Sequence, residues 1–288
     1  GVVFILLVIV ELSFFGMRFI DVRNPDDLTS NPDLSGLIEH LKQDDSEFRV
    51  LDLSGELVPR IANHHGIKLT SPDFLFHNHY VNIMHLIGPG VPFGWTKDMI
   101  QKPEILGLLA TKYIVSEEEI DFEGFELVKD GNFKLYHSAD YVYSKLFYDV
   151  EVIEGSQKRV GRLAEIMDTT LIVEEEVPLL QGDGVGEVSL VEIGPHSISL
   201  SVTTDKSSML FLSEVWYPGW KAYVDGEESK IYKADEMFRA VYVDAGSHSV
   251  EFRYEPGSYR IGLIISLISL GLVLVFFLLY FFGKRSKN

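Results

Sequence analysis

Residues 261–283 read IGLIISLISLGLVLVFFLLYFFG, 23 positions without a charged side chain. At about 1.5 Å per residue such a helix is long enough to cross a hydrocarbon core of about 30 Å. A soluble helix of this length would carry a polar stripe, and none is present. Tyr259 and Arg260 precede the run. Tyr280, Phe281 and Phe282 close it, followed by Lys284, Arg285 and Lys287. The pattern predicts a transmembrane helix over 260–283. The positive-inside rule puts the tail 284–288 in the cytoplasm and the residues before Tyr259 outside.

The other end is also apolar. Residues 1–15 read GVVFILLVIVELSFF, with neither the basic start nor the small-residue cleavage site of a signal peptide. We expect a second transmembrane helix over 1–20, the outer part of a span that begins upstream, with Glu11 near its outer interface. Between the two spans lie 42 acidic and 20 basic residues, a net of −22. So acidic an ectodomain is a poor non-specific binder of nucleic acid. The chain has no cysteine, which excludes disulfides, thiol nucleophiles and thiolate metal sites.

The expected fold is a membrane-anchored α+β protein. Two transmembrane helices flank an extracytoplasmic α+β subdomain at 21–180 and an antiparallel β-sandwich at 186–257. In the subdomain, helical spacing at Leu34, Leu37, Ile38 and Leu41 follows a possible cap at Ser30 or Asp33. Strands are expected at 48–53, 112–116, 143–153 and 170–173. Helices are expected to start at Pro103 and to run over 156–167. Asp130-Gly131 marks a hairpin within 125–137. The glycine-rich stretch 181–186 (QGDGVG) reads as the joint to the sandwich. There, Ile198, Leu200 and Val202 alternate with serines, Asp225-Gly226 signals a second hairpin, and Val250, Phe252 and Tyr254 alternate again.

Five of the nine histidines, His64, His65, His77, His79 and His85, fall within 63–94. His77 and His79 would share a strand face, whereas the adjacent His64 and His65 diverge. No HExxH or comparable ligand spacing accompanies them, so the plain reading is polar loop packing, with metal binding or pH sensing as the alternative. No G-x-S-x-G and no phosphate-binding glycine loop is present. The acidic runs 117–119 and 174–176 read as solvated turns. Trp216, Tyr217, Trp220 and Tyr223 cluster with Lys221 and Arg239 nearby. Aromatics of this kind stack on sugar rings or fill a sandwich core. The residues imply no catalytic site, metal or cofactor.

The run LSEVWYPGWKAYVDG at 212–226, then FRAVYVDAGSHSVEFRYEP at 238–256 and the entry into the last helix, resembles the C-terminal end of YfhO-family bacterial membrane proteins. Weaker similarities occur at 49–51, 103–106, 111–114 and 150–152. The resemblance implies a polytopic protein similar to GT-C-type glycosyltransferases, which use polyprenyl-phosphate-linked sugars outside the membrane. It implies a role in glycosylating an envelope polymer such as lipoteichoic acid. The catalytic carboxylate of such enzymes lies in an early outward loop that no position here matches. The chain then corresponds to the last spans and the ectodomain, partnered by the bilayer and by membrane helices of the same protein. Trp216, Tyr217, Trp220, Lys221, Tyr223 and Arg239 are the candidate acceptor contacts, with Lys230 and Lys233 as further cations against phosphate. A membrane-tethered glycan-binding or scaffold module without transferase activity is the alternative.

Overall fold

The computed structural model describes residues 31–70, 78–88, 95–166 and 169–285. The span expected at 1–20 and His77 lie outside them. The chain divides into two compact units, one built from residues up to 77 and 84–142, the other from 78–83 and 143 onward.

In the first unit, helix α1 (Pro32–Leu41) buries Leu34, Leu37, Ile38 and Leu41. Its cap is Asn31 rather than Ser30 or Asp33. The Asn31 side chain accepts the Asp33 N–H at 3.0 Å, because Pro32 holds the first helical position and needs no N–H partner. Strand β1 (Arg49–Asp52) and the short helix α2 (Pro59–His64) follow, then α3 (Asn78–Ile87), whose first six residues belong to the second unit. The helix expected from Pro103 is a 3-10 helix (Pro103–Leu109), closed by Ala110 in the left-handed region. Strands β2 (Thr111–Ser116), β3 (Glu126–Lys129) and β4 (Lys134–His137) complete a four-stranded sheet in the order β1-β2-β4-β3. Only β1 and β2 pair in parallel; β3 and β4 are the hairpin foreseen at Asp130-Gly131. Val50, Val115 and Leu135 bury against the α1 side chains and Leu57, Ile61 and Ala62.

In the second unit, the strand expected over 143–153 breaks into β5 (Ser144–Phe147) and β6 (Val150–Val152). Helix α4 (Ser156–Ile166) leads to β7 (Leu171–Val173), which lies parallel to β6. Strands β8 (Gly186–Ile193), β9 (Ser197–Thr204), β10 (Ser208–Val215), β11 (Trp220–Val224), β12 (Glu227–Ser229), β13 (Ile231–Ala234), β14 (Phe238–Val243) and β15 (Gly246–Tyr254) follow. They form two largely antiparallel sheets. One runs β5-β10-β14-β13-β7-β6 and the other β12-β11-β15-β9-β8. Strands on both sides of the glycine-rich stretch 181–186 therefore share a sheet. The compact units divide at Val142/Tyr143 and not at that stretch. The physical reason is long-range pairing: β5 finds its partner in β10, Phe211↔Lys145, more than sixty residues away.

The interior of the six-stranded sheet is aromatic. Phe147, Phe211 and Phe238 meet edge to face at centroid distances of 5.9 and 5.2 Å. In the five-stranded sheet the expected alternation holds. Ile198, Leu200, Val202, Val250 and Phe252 are buried on one face, paired Val250↔Leu200 and Phe252↔Ile198. Each contributes about 1.5–3 kcal/mol by leaving water. The Asp225-Gly226 hairpin has positive φ at both residues, as a two-residue type I′ turn requires.

Strand β15 ends at Tyr254, and helix α5 (Gly257–Arg285) starts three residues later. Its segment Gly257–Leu278, 22 residues, is long and apolar enough to cross a membrane, and none of it is buried against protein. The chain turns into α5 beside Gly219, whose φ is +105°. A Cβ there would lie 3.0 Å from the Tyr254 ring and 3.2 Å from the Pro256 Cα. Gly219→Ala should therefore destabilise the second unit by about 1–3 kcal/mol, from an unfavourable φ and a backbone clash. Denaturant unfolding of the full chain in detergent, compared with Gly226→Ala where a Cβ meets nothing within 4 Å, would check it.

Candidate functional site

The most concentrated chemistry among the described residues was not foreseen from the sequence. It sits in the turn Asp235-Glu236-Met237 between β13 and β14. Asp235 and Glu236 have φ of +42° and +72°, a conformation that non-glycine residues adopt at a cost of about 1–3 kcal/mol each. Both are buried, 0% and 1% exposed. A strained turn that inserts two carboxylates into the interior needs compensation, and it has it.

The Glu236 carboxylate is saturated. Its Oε1 accepts from Asn82 Nδ2 at 3.0 Å, from His79 Nδ1 at 2.6 Å and from the Ser156 hydroxyl. Its Oε2 takes Arg159 through both Nε and Nη2, each at 3.0 Å. Arg159 Nη2 also reaches Glu174 Oε1 at 2.7 Å, and Nη1 donates to the Ile153 carbonyl at 3.2 Å. Lys233 Nζ bridges Glu174 at 2.8 Å and His79 Nε2 at 2.9 Å. An ammonium only donates, so His79 Nε2 accepts and the ring proton sits on Nδ1, pointing at Glu236. Two carboxylates and two cations thus balance. Burial alone would raise the Glu236 pKa; the hydrogen bonds from His79, Ser156 and Asn82 and the Arg159 charge outweigh it and hold it below the ordinary value. A carboxylate that is fully bonded and held ionised is a poor general base. The arrangement ties α3 and α4 to the turn.

Asp235 behaves oppositely. Burial pushes it up to about 7, against the Ile172 N–H that its Oδ1 accepts at 3.0 Å and the distant charge of Lys145. Its Oδ2 is buried without a partner.

The aromatic candidates do not form one site. Trp216 and Tyr217 occupy the turn before β11, with Tyr217 53% exposed. Trp220 lies between Arg239, whose guanidinium sits 3.8 Å from its ring centroid, and Tyr254 at 5.4 Å. Arg239 is 3% exposed and donates to the Val215 carbonyl at 2.9 Å. Lys221 and Tyr223 alternate onto the other face. Lys221 pairs with Glu228 at 2.8 Å, and Tyr223 packs under Arg253 and reaches Glu255. Lys230 pairs with Glu175 at 2.7 Å. Every cation expected to counter an acceptor phosphate is thus already engaged by a carboxylate, a ring or a carbonyl.

Among the histidines, His64 and His65 stack edge to face at 4.8 Å in the first unit, His85 is exposed on α3, and His79 alone enters the ionic turn. Among the described residues no group of three or more His, Asp or Glu is arranged to hold a metal. Glu174, expected in a solvated turn, stays 37% exposed while pairing with Arg159 and Lys233. The signal that could have found the turn is the pair Asp235-Glu236 flanked by Ala234, Met237 and Phe238, where a tight turn usually carries Asn or Gly.

Comparison with known proteins gives one family. Residues 187–266 match the family model described as bacterial membrane protein YfhO. An uncharacterized protein YfhO of Bacillus subtilis (strain 168) is 32% identical over 83 residues, covering 29% of this chain and 10% of that protein. No solved structure matches the chain.

Two outcomes follow from the ionic turn. Glu236→Gln leaves Arg159 with the part-exposed Glu174 as its remaining counter-charge and should lower stability in denaturant unfolding, by less than the ~3–5 kcal/mol of a buried charge left wholly unpaired. Asp235 holds a proton in the folded chain between about pH 4 and 7, where the unfolded chain releases it. Its contribution to stability is therefore complete below pH 4 and lost as pH rises through 7. Asp235→Asn keeps the bond to Ile172 and should raise Tm at pH 8 while flattening its fall between pH 5 and 8. Parallel Tm profiles for the two proteins would contradict this.

Proposed function

We propose that this chain, similar over residues 187–266 to the bacterial membrane protein YfhO family, is the C-terminal extracytoplasmic module of a polytopic glycosyltransferase-like protein that acts in cell-envelope glycosylation. The observation that carries the reading is the junction of β15 and α5, which lies inside the segment 187–266 matched to the family. It holds a folded, acidic domain directly against the bilayer. There a polyprenyl-phosphate-linked sugar would be delivered and a lipoteichoic-acid-type polymer would pass. In this reading the two sheets of the second unit are the layers of a β-sandwich, stitched by Arg239 of β14 over Trp220 of β11. The domain faces outward, the tail 284–288 lies in the cytoplasm, and a further span precedes residue 21. The transferase chemistry belongs to other membrane segments, consistent with a match that covers only 10% of the curated relative. The module positions the acceptor and has no catalytic residues of its own.

The saturated state of the ionic turn and of Lys221, Lys230 and Lys233 favours a second reading. In it the module is a scaffold that stabilises the membrane helices without touching glycan.

Deleting the gene and measuring the sugar content of the envelope polymer tests the first reading. Loss of glycosylation on deletion, restoration by the wild-type gene and reduced restoration by a Trp220→Ala/Lys221→Ala double variant are expected. Unchanged sugar content after deletion would end the transferase reading. Full restoration by the double variant would leave the scaffold. Because the chain has no cysteine, topology is open to direct labelling. A cysteine at Glu227 should react with an impermeant maleimide in intact cells, and one at Ser286 only after permeabilisation.

A further inference from the structure

Two turns of the five-stranded sheet lie at the end where the chain enters α5. The register fixes this. Tyr254, the last residue of β15, pairs with Trp220, and Arg253 pairs with Ser197. The Tyr254 N–H donates to the His196 carbonyl at 2.8 Å, and the Glu255 N–H donates to the Gly219 carbonyl at 2.6 Å. The turn before β11 (216–219, WYPG) and the turn between β8 and β9 (194–196, GPH) are therefore bonded to the two residues that lead into the helix.

The length of the junction sets their height. Gly257 lies four residues before Ile261, where the uncharged run begins, or about 6 Å along a helix axis. One leaflet's headgroup layer is about 5–8 Å deep. The chain enters α5 at the outer rim of that layer, with the Gly219 turn in contact with Pro256 one residue earlier.

The chemistry of that end differs from the rest of an acidic protein. Neither turn holds an Asp, Glu, Lys or Arg. Tyr217, Pro218, Pro195 and Ile193 are exposed, and Tyr259, in the first turn of α5, is 70% exposed. The charges flanking the turns are Glu192, Lys221 paired with Glu228, the Arg253–Glu251 pair, Glu255, held by Tyr223, the buried Arg239 against the Trp220 ring, and Arg260 in the first turn of α5. The opposite end of the same sheet carries Asp205, Asp225, Glu227, Glu228 and Asp244. Aromatic and prolyl tips facing the helix with carboxylates facing away match a surface that partitions into an interface, where amphipathic rings are favoured.

The geometry points to the 216–219 and 194–196 turns as a membrane-interface foot, seated in the phospholipid headgroups beside the helix that anchors the protein. This inference rests on α5 being a transmembrane span. It assigns Tyr217 and Pro195 to lipid and not to a glycan acceptor.

Depth-dependent quenching tests it. The cysteine-free full chain, reconstituted in phosphatidylcholine/phosphatidylglycerol nanodiscs, would carry an NBD fluorophore on a single cysteine at Tyr217, Pro195, Glu227 or Leu267. Labels at 217 and 195 should emit to the blue of the label at 227 and lose emission to a headgroup-level spin-labelled lipid. The label at 227 should lose none. The label at 267 should be quenched by a deep acyl-chain spin label. If 217 and 195 match 227 while 267 is quenched, the foot is overturned and the span stands, leaving those turns to an aqueous or glycan-facing role. If 267 is also unquenched, the span reading fails and the foot with it.

Discussion

The absence of a linker between β15 and α5 constrains the second unit more than any other feature. Two residues, Glu255 and Pro256, separate the last ladder pair from the first helical residue. β15 is the middle strand of its sheet, with β11 on one side and β9 on the other. A helix that continues a central strand fixes the whole sheet at once, because every neighbour inherits its register. The close packing of Gly219 against Tyr254 and Pro256 closes the last freedom. A flexible tether would let the sheet turn freely about the helix; this junction leaves it little room to do so.

The ionic turn solves a different problem. Asp235 and Glu236 leave β13 in left-handed backbone, and that strain persists only if the surroundings over-determine it. They do so by converging five donors on one carboxylate. Strained backbone and buried charge are often read as marks of catalysis, yet here the count of hydrogen bonds decides otherwise. With its oxygens committed to His79, Asn82, Ser156 and Arg159, Glu236 has nothing left to offer a substrate. Asp235 is inaccessible to solvent. The cluster spends its interactions on fixing the start of α3 and the face of α4 against the hairpin.

Several local signals in the sequence carried well, although His79, expected on a strand face, lies on the helix Asn78–Ile87. The uncharged run at 261–283, the hairpins at Asp130-Gly131 and Asp225-Gly226, and the alternation at 198–202 and 250–254 all reappear where the residues put them. What was not legible depends on distant partners. Nothing in SKLF (144–147) or VEV (150–152) states which strand each will meet, so the sharing of one sheet by β5, β6 and β7 with β10, β13 and β14 was hidden. The break of 143–153 into two strands was hidden too, because β5 and β6 end on opposite edges of that sheet. The ionic turn was invisible for a related reason. His79, Ser156, Glu174 and Glu236 are spread over more than 150 positions and acquire meaning only when packing brings them together. Of the histidines singled out by proximity in sequence, the one that matters is set apart by its contacts.

Clustered aromatic residues invite a sugar-binding reading, and residue type alone does not separate sugar from lipid. Ring faces do. A sugar platform needs an open face, and Trp220 has Arg239 against its ring and Tyr254 beside it. Tyr223 is covered by Arg253. What remains open is Tyr217, 53% exposed at the tip we assign to the headgroups. The charge distribution argues in the same direction: the carboxylates of this acidic sheet gather at the end away from the helix, where an anionic bilayer would repel them least.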